Sequence, residues 1–153
     1  MRIKILAFGK MGRGPEQQLI DEYIKRLPWA VDIVEFEIKK PGRTAELRKK
    51  QEAEKLLGAI PASSVVVALD ERGKSCTSVG LSEDIDKWAA DGMSTTVFII
   101  GGADGLDESI RKKARLVLGF GTLTWPHRLA RVMLVEQIYR AWSIQARHPY
   151  HRE

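Results

Sequence analysis

The chain has 153 residues and a mass of 17.2 kDa, enough for one hydrophobic core, so we expect a single domain over residues 1–153. Its 25 basic and 20 acidic side chains give a formal charge of +5, compatible with a nucleic-acid ligand, an anionic cofactor or neither. One cysteine and three histidines argue against a disulfide framework and against a metal site. No apolar run approaches the roughly 18 residues of a membrane span, and the N-terminal apolar stretch is too short for a signal peptide. We therefore expect a cytoplasmic protein with no membrane association.

Strand and helix patterns alternate along the first half of the chain. Residues 2–8 are rich in β-formers and predict a short buried strand. Pro15 suits the first turn of a helix that ends before Pro28. Residues 31–38 alternate apolar and charged side chains, which is typical of a half-exposed strand, and residues 44–57 predict a charged helix.

The second half continues the alternation. Continuous apolar runs at residues 65–69, 96–100 and 116–120 predict strands covered on both faces. Helices are predicted around Leu81–Ala89, from the Asp107 cap to about Ala114, and over residues 128–146, the last one mostly buried. This order predicts an α/β fold with a mostly parallel sheet and helices on both faces. Ligands of such sheets bind beyond the carboxyl ends of the strands.

Three of the predicted strand exits are candidate ligand loops. Residues 69–74 form a polar turn after an apolar strand, which is also the composition of an ordinary turn. Residues 99–107 carry three glycines in five positions, which suits either a close backbone approach to a ligand or a tight strand-to-helix turn. Asp104 in this loop would repel a phosphate, so a neutral or cationic small molecule fits better. Residues 119–127 combine apolar, hydroxyl and backbone groups that suit an aromatic base, although Trp125 and His127 could simply fill the edge of the core.

The last seven residues, 147–153, are here called the C-terminal tail. Chain ends are usually frayed and solvated, yet this one holds two of the three histidines, a tyrosine and two arginines. Arginine beside aromatic residues suits a phosphate backbone and an unstacked base. The sequence shows no catalytic triad, carboxylate pair or metal-ligand pattern, and Cys76 lies in a polar stretch that does not suggest a catalytic thiol.

Taken together, several motifs make the whole chain resemble the small bacterial SPOUT methyltransferases that modify 23S ribosomal RNA. The matching segments are Leu69-Asp70, the Ile-Gly-Gly-x-x-Gly-Leu run at residues 100–106, Leu-Thr-x-Pro-His at 123–127, Glu136-x-x-Tyr-Arg-Ala-Trp, and the His-Pro-Tyr-His of the tail. Trp125 is bulkier than the apolar residue expected at its position and would pack against either the cofactor or a dimer partner.

The resemblance implies an α/β knot, in which roughly residues 65–153 thread into a deep trefoil. Such threading is so rare that periodicity could not reveal it. It further implies an S-adenosylmethionine site, a homodimer whose partner subunit completes the substrate side, and methylation of N3 of a pseudouridine (position 1915) in 23S rRNA on the assembled 70S ribosome. Carried over by motif, the cofactor-binding residues are Leu69, Gly101, Gly121, Thr122, Leu123, Thr124, Trp125 and Pro126.

The tail is expected to shape the substrate side, through Tyr150, His151 and Arg152. Methyl transfer from a sulfonium is a direct displacement that needs alignment more than covalent help, which agrees with the missing triad. The N3 proton must still leave, and His151, Tyr150 and His127 are the available acceptors, although selection of the ionised base would make a general base unnecessary.

Two other functions compete with this interpretation. A non-catalytic RNA- or ribosome-binding module would keep the α/β body and the basic tail, but the intact cofactor loops argue against it. A Rossmann-like nucleotide enzyme lacks a complete dinucleotide fingerprint. The charge distribution favours an RNA partner, because residues 111–153 hold nine basic and two acidic side chains while residues 1–110 have a net charge of −2. Of the nine, Arg131 and Arg140 are candidates for interior partners of Glu136 or for dimer contacts.

Overall fold

The computed structural model describes residues 1–152 and shows strands and helices in strict alternation. In chain order the elements are β1 (Arg2–Phe8), α1 (Pro15–Arg26), β2 (Ala30–Phe36), α2 (Ala45–Gly58), β3 (Ser64–Lys74), α3 (Ser78–Ala90), β4 (Thr95–Ile100), α4 (Glu108–Lys113), β5 (Leu116–Leu118) and α5 (His127–Gln145). Local signals set the helix starts, since Thr44, Thr77 and Asp107 each cap a helix by accepting a backbone N–H.

The five strands form one parallel sheet in the order β2-β1-β4-β3-β5. All of the carboxyl ends therefore meet at one edge, which is where ligands of open α/β sheets bind. The predicted parallel α/β sheet is confirmed. The helices lie on both faces, because α5 contacts both α1 and α3 on one side while α2 contacts α4 on the other.

Side chains alternate between two cores along the central strands. Ile3, Ile5, Val67 and Phe98 pack with α1, α3 and α5, whereas their neighbours Leu6, Val66, Val97 and Ile99 pack with α2 and α4. This is why the central strands lack polar alternation in the sequence: both faces of the sheet are buried.

Three predicted boundaries are wrong. The polar segment 70–74 is not a turn, because β3 continues through it to Lys74, with an irregular register against β5 between Leu69 and Lys74. Conversely, β5 ends at Leu118 rather than at residue 120, and β2 ends at Phe36 rather than at residue 38. Phe120 and Ile38 pack against the cores without belonging to a strand, so the apolar pattern at these two positions reflects burial rather than sheet pairing.

No helix in the described part of the chain is long and apolar enough to cross a membrane. Residues 1–152 also contain no cluster of three or more histidine, cysteine or acidic side chains suited to a metal ion.

Candidate active site

The three candidate loops meet in one cleft of about 530 Å³ at the carboxyl edge of the sheet, here called the glycine-loop cleft. Its walls come from the end of β3 (residues 69–72), the loop after β4 (residues 100–106) and the loop between β5 and α5. The volume lies within the range of small-molecule sites. Of the eight residues predicted to bind the cofactor, six line this cleft: Leu69, Gly101, Gly121, Leu123, Thr124 and Trp125. Thr122 and Pro126 belong to the same loop.

Two glycines of the loop after β4, Gly101 and Gly105, are needed for the loop's own folding. A Cβ on Gly101 would lie 2.8 Å from Leu106 Cδ2 and 3.1 Å from the Gly105 backbone, whereas one on Gly102 would meet only the flexible end of the Glu52 side chain. Gly105 has φ +85°, and its N–H donates to the Gly102 carbonyl at 3.0 Å, which closes a tight turn. The loop is therefore a tight turn that also lines the cleft, and the close approach of its backbone to a ligand stays a prediction.

The sequence suggested that the charge of Asp104 acts on the ligand, but in the structure the Asp104 carboxylate is paired with Arg48. Its carboxylate accepts two hydrogen bonds from the Arg48 guanidinium, at 2.7 and 3.0 Å, and these bonds keep the pKa of Asp104 below its usual value. These two hydrogen bonds hold the loop after β4 against α2. The negative charge is thus already neutralised, so it does not make the cleft acidic.

Two adjacent carboxylates at the end of β3, Asp70 and Glu71, have different surroundings. The Asp70 side chain is 5% exposed and bonds to both Arg72 and Arg111 at 3.2 Å. Burial alone would raise the pKa of Asp70, but the hydrogen bonds from Arg72 and the charges of Arg72 and Arg111 together outweigh burial, and the pKa is lowered. Glu71 is exposed, lines the cleft, and forms no salt bridge within residues 1–152; its Oε2 accepts the Thr124 hydroxyl at 3.1 Å. Glu71 is therefore the carboxylate available to a cationic ligand.

Trp125 stabilises the loop between β5 and α5, to which it belongs. The indole Nε1–H donates to the Phe120 carbonyl at 3.0 Å, and the side chain, 40% exposed, lines the cleft. Leu123 is 70% exposed beside it. The loop thus presents a broad apolar surface to whatever enters the cleft.

The C-terminal tail lies elsewhere on its own chain. Tyr150 packs edge-on against Tyr139 with ring centroids 4.8 Å apart, and its hydroxyl bonds to Glu136 at 2.9 Å and lies 3.1 Å from the Tyr23 hydroxyl. Burial, followed by the bonds with Tyr23 and Glu136, raises the pKa of Tyr150 far above its usual value. The tyrosine therefore stays protonated at neutral pH and makes a poor proton acceptor.

Arg140 links this cluster to the end of the chain. It pairs with Glu136, lies over the Tyr150 ring at 4.8 Å, and places Nη1 3.3 Å from His151 Nδ1. The residues Tyr150, His151 and Arg152, all described by the structure, do not line the glycine-loop cleft of their own chain. The Glu136–Arg140 pair, at i, i+4 spacing, is one of the pairings that the sequence indicated. Sequence reasoning missed that Tyr23 and Tyr150 join this pair.

Of the two arginines assigned as possible partners of Glu136, only Arg140 fills that role. Arg131 instead pairs with Glu35, at the end of β2, and its Nη2 donates to the Gly9 carbonyl at 3.0 Å. Glu35 also accepts the Met11 N–H at 2.9 Å. Arg131 therefore holds the turn after β1 against the start of α5.

Comparison with known proteins fixes the family. A family model described as a predicted SPOUT methyltransferase matches residues 1–151. The chain belongs to the SPOUT methyltransferase family. Its expected membership is thus confirmed, and with it the prediction of an enzyme rather than a non-catalytic binding module.

Curated relatives in the SPOUT family align over nearly the whole chain. The ribosomal RNA large subunit methyltransferase H of Bradyrhizobium diazoefficiens is 43% identical, with 99% of each chain covered. The protein of the same name from Rhodospirillum centenum is 45% identical, again over 99% of each. Among solved structures, a probable methylase family protein from Haemophilus influenzae superposes with a TM-score of 0.56 at 10% identity, covering 99% of this chain and 70% of that one. That likeness shows the fold alone.

Proposed function

We propose that this SPOUT methyltransferase transfers a methyl group from S-adenosylmethionine to N3 of a pseudouridine in 23S ribosomal RNA, with the assembled 70S ribosome as its substrate. The observation that carries the proposal is the glycine-loop cleft, in which the three predicted loops come together. The relatives' name supports large-subunit rRNA as the substrate. The N3 position and the ribosomal context rest on the resemblance of the motifs.

The residues of the cleft fit S-adenosylmethionine. Leu69, Leu118 and Phe120 offer apolar surface for the adenine ring, and the loop at Gly121 offers backbone groups for its polar edge. Glu71 offers a carboxylate without a salt-bridge partner within residues 1–152 to the cationic part of the molecule. When bound, the cofactor would supply a sulfonium-activated methyl group: the base nitrogen would bond to the methyl carbon as the S–C bond breaks, and neutral S-adenosylhomocysteine would leave.

The chain's own residues then have three tasks. The cleft loops fix the position of the cofactor, because alignment contributes most to such a displacement. Trp125 and Leu123 shield the reacting centre from water. The N3 proton leaves the base when the new N–C bond forms or before it; Tyr150, with its raised pKa, is unsuited to accept it, which leaves His127 in the cleft wall and His151 in the tail.

The proposal is tested with two measurements on the purified protein. Calorimetry should show binding of S-adenosylmethionine, and ribosomes from a strain lacking the gene should gain one methyl group on the pseudouridine when incubated with enzyme and cofactor. Mass mapping of the rRNA locates the methyl group. Absence of binding at millimolar cofactor would contradict the proposal and favour a non-catalytic RNA-binding module.

We also propose that the enzyme acts as a homodimer in which the tail of one subunit reaches the cleft of its partner. The separation of Tyr150, His151 and Arg152 from the cleft of their own chain supports this arrangement. Deleting residues 150–153 should therefore abolish methylation while leaving cofactor affinity unchanged.

A mixing experiment tests whether the partner supplies the tail. A variant with a filled cleft, Leu69→Trp, and the tail-deleted variant should each be inactive alone. Mixed and allowed to exchange subunits, they should regain activity, because one cleft of each heterodimer is intact and faces an intact tail. Full activity of the tail-deleted enzyme alone would contradict any role of the tail.

A further inference from the structure

A second cleft, here called the β1–β2 cleft, lies beside the glycine-loop cleft and has a volume of about 570 Å³. It is lined by residues 8–11 after β1, residues 36–39 after β2, and His127, Arg128 and Arg131 of α5. Gly102, Ala103 and His127 line both clefts. The two clefts are therefore neighbours at the same edge of the sheet, separated by one shared wall.

The charged side chains of the β1–β2 cleft leave a positive excess. Of the two acidic residues that line it, Glu37 is neutralised by Lys10 at 3.2 Å, whereas Glu52 accepts the Gly102 N–H at 3.2 Å and keeps its own charge. Lys39 and Arg128 are exposed and form no salt bridge with any residue in the range 1–152. These two cations are available to an anion.

The start of α5 adds backbone donors to the same cleft. Pro126 precedes the helix without a side-chain cap, and the first turn contains no acidic residue. The N–H of Ala130 is the first to bond within the helix, to the Pro126 carbonyl at 2.9 Å. The amides of residues 127–129 have no intrahelical partner, and the positive end of this 19-residue helix favours a negative charge.

Arg131 gives an independent sign of a ligand. It is 4% exposed and lines the cleft, yet its Nε–H has no hydrogen-bond partner in the described part of the chain. Its other nitrogens are occupied by Glu35 and the Gly9 carbonyl. Buried donors without a partner are rare in folded proteins. An acceptor at the wall of this cleft would satisfy the free Nε–H.

We propose that the β1–β2 cleft binds a backbone phosphate of the RNA, belonging to the methylated nucleotide or its immediate neighbour. This inference rests on the proposed function, because it takes the RNA as the source of the phosphate. Lys39 and Arg128 contact the phosphate, and the α5 amides and Arg131 complete the set of donors. The shared wall at Ala103 and His127 then places the target base toward the glycine-loop cleft while its backbone stays outside it.

The test compares Lys39→Gln and Arg128→Gln with two matched controls, Lys87→Gln and Arg2→Gln. Lys87 lies near the end of α3 and Arg2 at the start of β1, so both controls are at the opposite, amino edge of the sheet. For each variant one measures KM and kcat for 70S ribosomes lacking the methyl group, at several salt concentrations, and cofactor affinity by calorimetry. Thermal unfolding checks that each variant is folded.

We expect KM for ribosomes to rise roughly fivefold or more in each cleft variant, with unchanged cofactor affinity and wild-type behaviour of the controls. The slope of log(kcat/KM) against log salt should become shallower by about 1 for each lost phosphate contact, an effect that a merely structural role would not produce. Wild-type KM and slope in both cleft variants would overturn the inference while leaving the proposed function intact. A wild-type enzyme that binds cofactor but methylates no ribosomes would instead overturn the proposed function, and the inference with it.

Discussion

Glu71 and Asp70 are adjacent carboxylates with opposite surroundings, and this difference makes Glu71 the better probe of the cofactor site. Glu71→Gln keeps the acceptor for the Thr124 hydroxyl and removes only the charge. An exposed charge pair contributes about 0.2–1 kcal/mol, so we expect S-adenosylmethionine to bind more weakly by a factor of about 1.4 to 5. Calorimetry measures the change, and Glu83→Gln, at an exposed position of α3, is the matched control. Equal affinities in all three proteins would remove Glu71 from the site.

Asp70 contributes stability that depends on pH. Its pKa is lowered in the folded protein, so the contribution is present at pH values above the unfolded pKa of about 3.9 and is lost as the pH falls through the folded value. Asp70→Asn should lower the free energy of unfolding by about 1–3 kcal/mol at pH 7. Urea unfolding from pH 7 to pH 3 should show the gap to wild type closing below about pH 4. Asp32→Asn, at an exposed site without a salt bridge in residues 1–152, should show no such gap.

Among the elements, the extended end of β3 forms the junction on which the cleft depends. Gly73 approaches the end of β5 so closely that a Cβ would lie 2.6 Å from the Leu118 carbonyl carbon and 2.7 Å from the Gly119 nitrogen. Gly119 in turn donates its N–H to the Lys74 carbonyl at 3.1 Å. This contact sets the distance between two walls of the glycine-loop cleft, residues 69–72 and the loop after β5.

Gly73→Ala should therefore impair both stability and cofactor binding. The added methyl group meets backbone atoms, which cannot move aside, so we expect a loss of about 1–3 kcal/mol of stability. Gly58→Ala is the control: it lies at the end of α2 with no atom within 4 Å of the added Cβ, and should be neutral or stabilising by up to about 1 kcal/mol. Thermal unfolding and calorimetry compare the two. A Gly73→Ala enzyme with wild-type affinity would show that β5 does not set the cleft.

The helix and strand order was predictable from the sequence because burial and capping are local. Thr44 and Asp107 act as N-caps, and the runs 65–69 and 96–100 are apolar on both sides because helices cover both faces. The continuation of β3 through Asp70–Lys74 was not predictable. Its residues are polar because they line a cleft, and polar residues around a glycine have the composition of a turn.

The candidate site was predictable only in part, because some of its contacts join residues that are far apart in the sequence. Leu69, Gly101 and residues 121–126 were named from motifs, and the parallel sheet brings most of them to one cleft; their roles toward a cofactor remain predictions. Long-range partners leave no local trace, so the pairs Arg48–Asp104 and Arg131–Glu35, 56 and 96 residues apart, could not be seen in the sequence. The α/β knot over residues 65–153 also stays a prediction, since strand order alone does not state how the chain threads.

For the whole molecule, the net charge of the last 43 residues overstates the free positive surface. Of the nine basic residues after position 110, four have acidic partners within the chain: Arg111, Lys112, Arg131 and Arg140. The other five, with no such partner within residues 1–152, are Lys113, Arg115, Arg128, Arg147 and Arg152. These five, rather than all nine, are the ones to consider for long-range attraction of RNA.

We expect methylation of ribosomes to depend on salt much more steeply than cofactor binding does. Each phosphate contact contributes a slope of about 0.7–0.9 in log–log form, whereas a small cofactor bound by one or two charges releases few ions. Steady-state kinetics and calorimetry over the same salt series measure both. Parallel slopes would mean that RNA recognition does not rest on phosphate contacts.

Cys76 lines an apolar groove of about 500 Å³ that shares Leu118, Phe120 and Gly121 with the glycine-loop cleft. It is the chain's only thiol and is reachable from solvent. The walls of the groove still partly desolvate it, and this desolvation, together with the charge of Asp84, raises the pKa of Cys76. It should alkylate slowly at neutral pH and readily in mild base. A single fluorophore could thus be attached to the native sequence without cysteine engineering, one wall away from the glycine-loop cleft, where its emission would report ordering of the 119–121 segment in real time.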